Sequence, residues 1–478
     1  MKATVNGTSV DAYMMYTSKA QVAAILPSRT PSGNGTLTVT YNGQTSAPAS
    51  IRVVDSAFGI FTLNQAGSGP GIFQNAYSST DLRVNTLTES ARPGQTVVIW
   101  GTGLGPVTQN EAAGPAPGDL PINLQVYVGG KAANVAYKGR SGCCVTDQVA
   151  FIVPDGVEGC YVPVVVKIND VVSNFVTMSV ARNNGVCTDP NGISGTQLES
   201  AQRSGTFRNG GVTLTRSVSK FSFPGLGSIE SKSDNGSAAF QRYTFDELIR
   251  TQGIGGGFAT TYGSCTVFNS SSASGTIGDT VIKPVQLDAG PVININGPKG
   301  PKQLTKENGV YTAQLGGGAP SIPGIPGGAA APDYLEPGSY TIDNGSGGSG
   351  PDAVGAFRVN LTIPQLLNWT NMDATETVTR ANGLNITWSG GDPNGSVYMI
   401  GTSSLGNSAA VFVCSERTNA GQFTVPSYVL AALPATTGQN VGILSVTNNT
   451  QPVTFTAAGL DIGAVVAASG STKTVTYR

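Results

Sequence analysis

The sequence predicts an all-β protein made of serial immunoglobulin-like antiparallel β-sandwiches, with very little helix. Three observations carry that expectation. Apolar residues alternate with threonine and serine over runs of strand length, and Gly, Asn, Asp or Pro closes the runs. Charged residues make up 12% of the 478 positions while glycine fills 64 of them, so the charge is about half the ~25% usual in soluble domains and the turns are dense. A segment near the start also recurs later in the chain, the mark of a repeated fold unit.

The repeat sets the first boundaries. Gln21 to Pro27 reads QVAAILP and Gln148 to Pro154 reads QVAFIVP. The same offset then aligns Val39 with Val166, Tyr41 with Ile168, Asn42-Gly43 with Asn169-Asp170, Ser46 with Ser173 and Val53 with Val180. In the first copy, residues 1–58, Leu37, Val39 and Tyr41 alternate with Thr36, Thr38 and Thr40 ahead of the Asn42-Gly43 turn, which gives one apolar and one β-branched polar face. Residues 59–90 read as a connector. The second copy, residues 91–183, repeats the pattern with Val164, Val166 and Ile168. It also has a stretch, Pro93 to Pro106, with no counterpart ahead of ATVNG in the first copy. The first sandwich is therefore expected to be incomplete: either Met1 is an internal start or the product of processing, or its missing strands arrive from another chain.

Within the unmatched stretch lies VVIWGTGLGPV, Val97 to Val107. A Gly-x-Gly-x-Gly run suggests a nucleotide-binding turn only if it opens a helix whose amides hold a pyrophosphate. Here Pro106 and further Gly/Pro punctuation follow, so Gly101, Gly103 and Gly105 are read as a strand-to-loop corner. Residues 184–200 read as a polar linker, 201–365 as a Gly/Pro-rich β domain with one short helix near FDELIRTQ, and 366–478 as a C-terminal β-sandwich with room for a helical turn near VPSYVLAAL.

Long stretches of the chain, SKAQVAAILP, GTLTVTYNGQTSAP and AFGIFT, then PGQTVVIWGTGLGPV and GCCVTDQVAFIVPDGVEGCYVPVVVKINDVVSNFVTMSV followed by Cys187, resemble the Solibacter C-terminal-type repeat domain of secreted acidobacterial proteins of unknown function. The resemblance covers about residues 1–190, with weaker similarity in GSCTVF, YLEPGSYTIDNG and LNITWSGGDPNGSVYMIGTSS. It implies an exported immunoglobulin-like sandwich protein and no particular activity. This chain departs from the pattern in lacking the first half of the leading repeat.

The six cysteines are Cys143, Cys144, Cys160, Cys187, Cys265 and Cys414. They form no CxxC pair, so an oxidising compartment and disulfides are expected. Adjacent cysteines do not easily bond to each other, which leads to the expectation that Cys160 and Cys187 each join one member of the Cys143-Cys144 pair and that Cys265 joins Cys414. Export is implied, although MKATVNGTSVDAYMMYTSK has no apolar core of a signal peptide. No run reaches the ~18 apolar residues of a membrane helix.

The chain contains no histidine, which removes Ser-His-Asp and Cys-His catalysis and histidine-bearing metal sites together. No enzyme activity and no cofactor or metal is expected. Carboxylate-pair hydrolysis is the surviving catalytic class, with no locatable pair. GGDPNGS at 390–396 and IDNGSGGSGPD at 342–352 lack the acidic spacing of a calcium loop and read as turns. A net charge of −1 offers nucleic acid no basic field. Of the three tryptophans, Trp388 shares its strand face with Leu384 and Ile386 and Trp100 closes the VVIW run, so both are expected in cores; Trp369 fits either a core or a surface. The expected function is a non-enzymatic structural protein of the cell surface or exterior that self-associates into a filament, sheath or surface layer. The alternative is a secreted adhesive protein that binds surface glycans. The assembly candidates are Val475 and Tyr477 in the terminal STKTVTYR, which is either donated into the first sandwich of a neighbour or paired inside its own last sandwich, as sequential strands usually are.

Overall fold

The computed structural model describes residues 1–109, 111, 118–142, 146–189, 192–223, 227–251, 260–271, 282–318, 331–406, 408–436 and 442–478. The protein is all-β. Among the described residues the α-helices are Gly195–Ser204, Phe245–Arg250 and Ser427–Ala431.

In the first unit a sheet runs in the order Thr8–Asp11, Lys2–Val5, Gly33–Thr38, Ala49–Val53. A separate hairpin pairs Tyr13–Thr17 with Val22–Ile25. The Asn-Gly turn forms as its residue types require, with Asn42 and Gly43 at φ 49° and 74°, the left-handed pair of a type I′ turn. The second unit repeats this plan with the sequence Lys131–Arg140, Leu124–Val128, Gly159–Ile168, Val176–Val180. The strand Lys131–Arg140 changes partner along its length: Lys131 to Ala133 pair with Leu124–Val128, and Asn134 to Arg140 pair with Asp147–Ile152. The latter strand is in turn covered by Thr96–Thr102, and that one by Phe73–Ala76. Val97, Ile99, Val126, Val128, Val149, Phe151, Val164 and Val166 fill the closed core. The two units share a β-bulge at corresponding places, between Met14 and Tyr16 in the first and between Val135 and Tyr137 in the second.

From residue 206 onward strands of both remaining regions join in one large sheet, while Asn368–Trp369, Leu384–Ser389 and Gln422–Val425 form a separate three-stranded one. Thr206–Phe223 and Gly227–Thr244 form an antiparallel hairpin paired along its whole length. Thr206–Phe223 also pairs in parallel with the C-terminal strand Ile462–Tyr477, from Asn209 opposite Ile462 to Lys220 opposite Lys473. The strand Ile462–Tyr477 thus serves two cores. Its Val465 and Ala467 pack with Val212, Leu214, Phe240, Ile293 and Tyr340, and its Val475 and Tyr477 pack with Trp369, Trp388, Phe412 and Leu444. Where Lys220 and Lys473 meet in register, the loop at 372–373 compensates. Lys220 pairs with Asp373 at 2.6 Å, and Lys473 donates to the Met372 carbonyl at 2.8 Å.

The second unit is attached to this body at two places. Tyr127 stacks on Tyr428 with ring centroids 4.4 Å apart, and Phe175 lies 6.4 Å from the same ring. A separate small core joins Leu87, Cys160, Tyr161 and Cys187 to Leu198, Phe207, Tyr243 and Leu248. Part of this core is the helix Gly195–Ser204, which falls within a stretch that reads as linker. It begins in a capping box of Ser194 and Gln197, each satisfying a backbone N–H of the other's end.

Two disulfides fix the joints. Cys265 and Cys414 sit directly opposite each other on paired strands, Ser264–Ser271 and Ser408–Arg417, and are bonded. Cys160 is bonded to Cys187, which corrects the expected pairing of each with the 143–144 dipeptide. The reason is local: the Cys187 N–H bonds to the Leu87 carbonyl, laying the exit segment along Gly159–Ile168 with the two Cα atoms 5.1 Å apart. Cys143 and Cys144 lie outside the described residues.

A buried ion pair anchors the third region. The Asp234 side chain is 1% exposed. It accepts from Arg216 at 2.7 and 2.5 Å and from the backbone N–H groups of Tyr334 and Leu335 at 2.6 and 2.8 Å. Burial works against its ionisation, but Arg216 and the two amides hold its carboxyl below the ordinary aspartate range. An aspartate depressed in the folded state contributes stability that is full above its unfolded pKa of ~3.9 and is lost as pH falls through the lower folded value. Asp234→Asn is therefore expected to cost about 3–5 kcal/mol at neutral pH, the usual penalty for breaking a buried pair from one side. Denaturant titrations repeated from pH 7 downward should show the difference between wild type and variant shrinking below about pH 4.

Joint replacement of Cys265 and Cys414 by serine is expected to lower stability by about 2–4 kcal/mol. On reduction the wild type should lose more than this, because the Cys160–Cys187 bridge opens as well, whereas the variant should lose only the share of that second bridge; thermal or denaturant unfolding with and without dithiothreitol checks both.

Candidate functional site

The glycine run is structural. Thr96–Thr102 leads into it, and the loop folds back across Phe58 and Ala57: a Cβ on Gly101 would lie 2.3 Å from the Gly59 carbonyl, and one on Gly103, at φ +96°, 2.4 Å from that of Ala57. Asp147 accepts from the Leu104 N–H at 2.8 Å, Arg140 donates to the Gly105 carbonyl at 2.6 Å, and Arg140 and Asp147 are themselves paired in the interior. Residues 103–109 continue as loop with no helix opening at the glycines, whereas a pyrophosphate-binding turn leads directly into one. The two acidic loops are turns as well. Asp392 accepts from the N–H groups of Asn394 and Gln451, and Asp343 from that of Gly345. Among the described residues no group of three or more His, Cys, Asp or Glu side chains is placed to hold a metal ion.

The tryptophans are packed. Trp369 and Trp388 stand opposite each other on paired strands, both nearly covered, and their indole N–H groups bond to Asn371 and to the Thr418 carbonyl. Trp100 is half-buried and donates to Gln74 at 2.7 Å. No flat row of exposed rings results from these three.

Val475 and Tyr477 are not available for donation. Both are buried; Ser471 to Val475 pair with Gly442 to Val446, and Thr476 and Tyr477 pair with Thr377 and Val378. The expectation of a loose terminal strand is corrected for a physical reason: withdrawing it would open the core built on Trp388, Phe412 and Leu444.

The receiving side, by contrast, is open. In the second unit Asp147–Ile152 is paired on both edges, by Lys131–Arg140 and by Thr96–Thr102. The corresponding strand of the first unit, Val22–Ile25, is paired on one edge alone, by Tyr13–Thr17. Its other edge has no backbone partner among the described residues. The residues around it differ accordingly. Val149, Phe151 and Val153 are buried in the second unit; at their places in the first stand Val22, Ala24 and Leu26, of which Val22 and Leu26 are exposed. Met14, Met15 and Tyr16 on the neighbouring strand are exposed too. An unpaired edge beside exposed apolar side chains can form main-chain hydrogen bonds to an incoming strand and seat its alternate residues. The repeat in the sequence pointed to this place; the register and exposure came only with the structure.

No protein-family model matches the chain, and no curated protein matches it. Among solved structures, a crystal structure of domains A168-A170 from titin is 10% identical, covering 82% of this chain and 97% of that one, with a TM-score of 0.12. The Bacteroides ovatus mixed-linkage glucan utilization locus protein SGBP-B, in complex with a mixed-linkage heptasaccharide, is 8% identical, covering 89% and 87%, with a TM-score of 0.14. Neither likeness reaches the level at which a shared function follows.

Proposed function

We propose that this is a non-enzymatic structural protein of the cell exterior that assembles by strand addition, the first unit of one chain receiving a β-strand from a neighbouring chain. The observation that carries the reading is the free edge of Val22–Ile25, whose counterpart in the second unit is filled. The second unit supplies the template for the incoming strand: antiparallel, with apolar residues in the positions of Val97 and Ile99, which cover Val149 and Phe151. Two disulfides support an oxidising location, and among the described residues no helix is long and apolar enough to cross a membrane. Strand addition through a head-to-tail contact yields fibres or lattices where the rotation does not close.

The test uses a synthetic peptide of residues 94–104, GQTVVIWGTGL, as a stand-in for the donated strand. It should bind the full chain saturably, and a double Val22→Lys, Ala24→Lys variant should bind it at least about tenfold more weakly, because edge lysines oppose pairing. Sedimentation velocity should show concentration-dependent oligomers of the parent that excess peptide dissolves. A chain that is monomeric at every concentration and ignores the peptide would overturn the reading.

A further inference from the structure

Between the second unit and the C-terminal sandwich lies a cleft of 780 Å³, within the ~300–1,000 Å³ of small-molecule sites. It forms where the two bodies touch. A Cβ on Gly130 would lie 2.7 Å from the Gly263 carbonyl, and one on Gly159 would lie 2.7 Å from Thr261, so the glycines permit the close approach. Tyr161 reaches the cleft from Gly159–Ile168 and Asp189 from the segment after Cys187. Tyr262 enters just ahead of Cys265, and Tyr398 and Arg417 come from Ser396–Leu405 and Ser408–Arg417. Each disulfide adjoins one wall, which fixes the opening in advance of any ligand.

The chemistry of the lining narrows what fits. Its cations are largely engaged: Arg182 pairs with Glu158 at 2.6 Å, Lys131 donates to the carbonyls of Asp155 and Gly156, and Arg417 lies over the Tyr262 ring at 4.5 Å. With Asp189 counted, positive and negative charges nearly cancel, which disfavours phosphate and other strong anions. Val157 and Ile193 are the aliphatic members of the described wall, too few for an apolar ligand. Hydroxyls and ring faces remain. Tyr262 shares a hydrogen bond with Ser396 at 3.2 Å. Burial, with Tyr262 and Asp189 adding to it, pushes the Tyr398 hydroxyl up to about 12, so it stays protonated at neutral pH. The Tyr161 hydroxyl, in a side chain 4% exposed, has no hydrogen-bond partner among the described residues.

We infer that this cleft binds an uncharged oligosaccharide, whose C–H faces lie on tyrosine rings and whose hydroxyls meet Tyr398, Arg417 and the glycine-exposed backbone. The ligand class follows from the combination of amphipathic rings, planar polar groups and balanced charge. It is independent of strand addition at the first unit.

Isothermal titration of the full chain with cellohexaose, laminarihexaose, xylohexaose and mannohexaose tests it. At least one should bind with a Kd between about 1 μM and 1 mM. Arg417→Ala and Tyr398→Ala should each weaken that binding about tenfold or more, while Tyr41→Ala, on the remote first unit, leaves it unchanged. Arg417 is exposed, so its variant tests the site even if the Tyr398 variant fails to fold; unfolding midpoints identify that case. Absence of binding by all four sugars at about 10 mM, or affinity unaltered by Arg417→Ala, would overturn the inference.

Discussion

The parallel pairing of Thr206–Phe223 with Ile462–Tyr477 is the contact on which the rest of the body depends. A parallel pair needs a crossover, and here the crossover is nearly everything between residues 224 and 461. Because one strand carries Val465 into one core and Tyr477 into the other, the two cores share a covalent backbone element and cannot be separated without breaking the sheet. The stability of each is therefore coupled to the other, as expected where no linker of few contacts divides them.

The second unit joins this body through side chains. The Tyr127–Tyr428 stack and the small core around Cys160 and Phe207 lie at separate points, and two points of attachment remove rotation that one would allow. The first unit is held more lightly. Its contacts to the second include Ser28, which bonds to Glu111 and receives the Val107 N–H, and Ser56, which donates to the Leu104 carbonyl. These are polar and peripheral, so the open edge is carried on an element that can accommodate a new neighbour without disturbing the larger cores.

Much of the architecture was legible because its signals are local. The Asn42-Gly43 turn follows from residues close in sequence, whereas the Thr36 to Tyr41 alternation does not carry through: Val39 interrupts the strand and Tyr41 is 77% exposed. The glycine corner was legible as a corner, though not its anchoring by Arg140 and Asp147, two residues that only the folded sheet brings beside Leu104 and Gly105. The long hairpin was harder to see, since stretches such as Arg216 to Lys220 and Ser228 to Asn235 are as polar as loops; backbone pairing over the full length sustains them. The parallel closure of Thr206–Phe223 on the C-terminal strand joins positions more than 250 residues apart, and nothing local announces it. The disulfide expectation started from a sound rule about neighbouring cysteines but needed the path of the exit segment to be right about Cys160 and Cys187. Of the two sites, the open edge was foreshadowed by comparing the repeats, whereas the cleft draws its side chains from separate segments, none carrying a motif.

The direction of that parallel pairing also bears on mechanics. Thr206 begins one strand and Tyr477 ends the other, so tension applied between the start of the hairpin and the C-terminus pulls the two strands along their common axis in opposite directions. The interstrand hydrogen bonds from Asn209 to Lys220 then share the load in shear and resist together, where an antiparallel pair pulled from one end would open bond by bond. Were neighbours linked through the first unit as proposed, this junction would be oriented to transmit force along the chain.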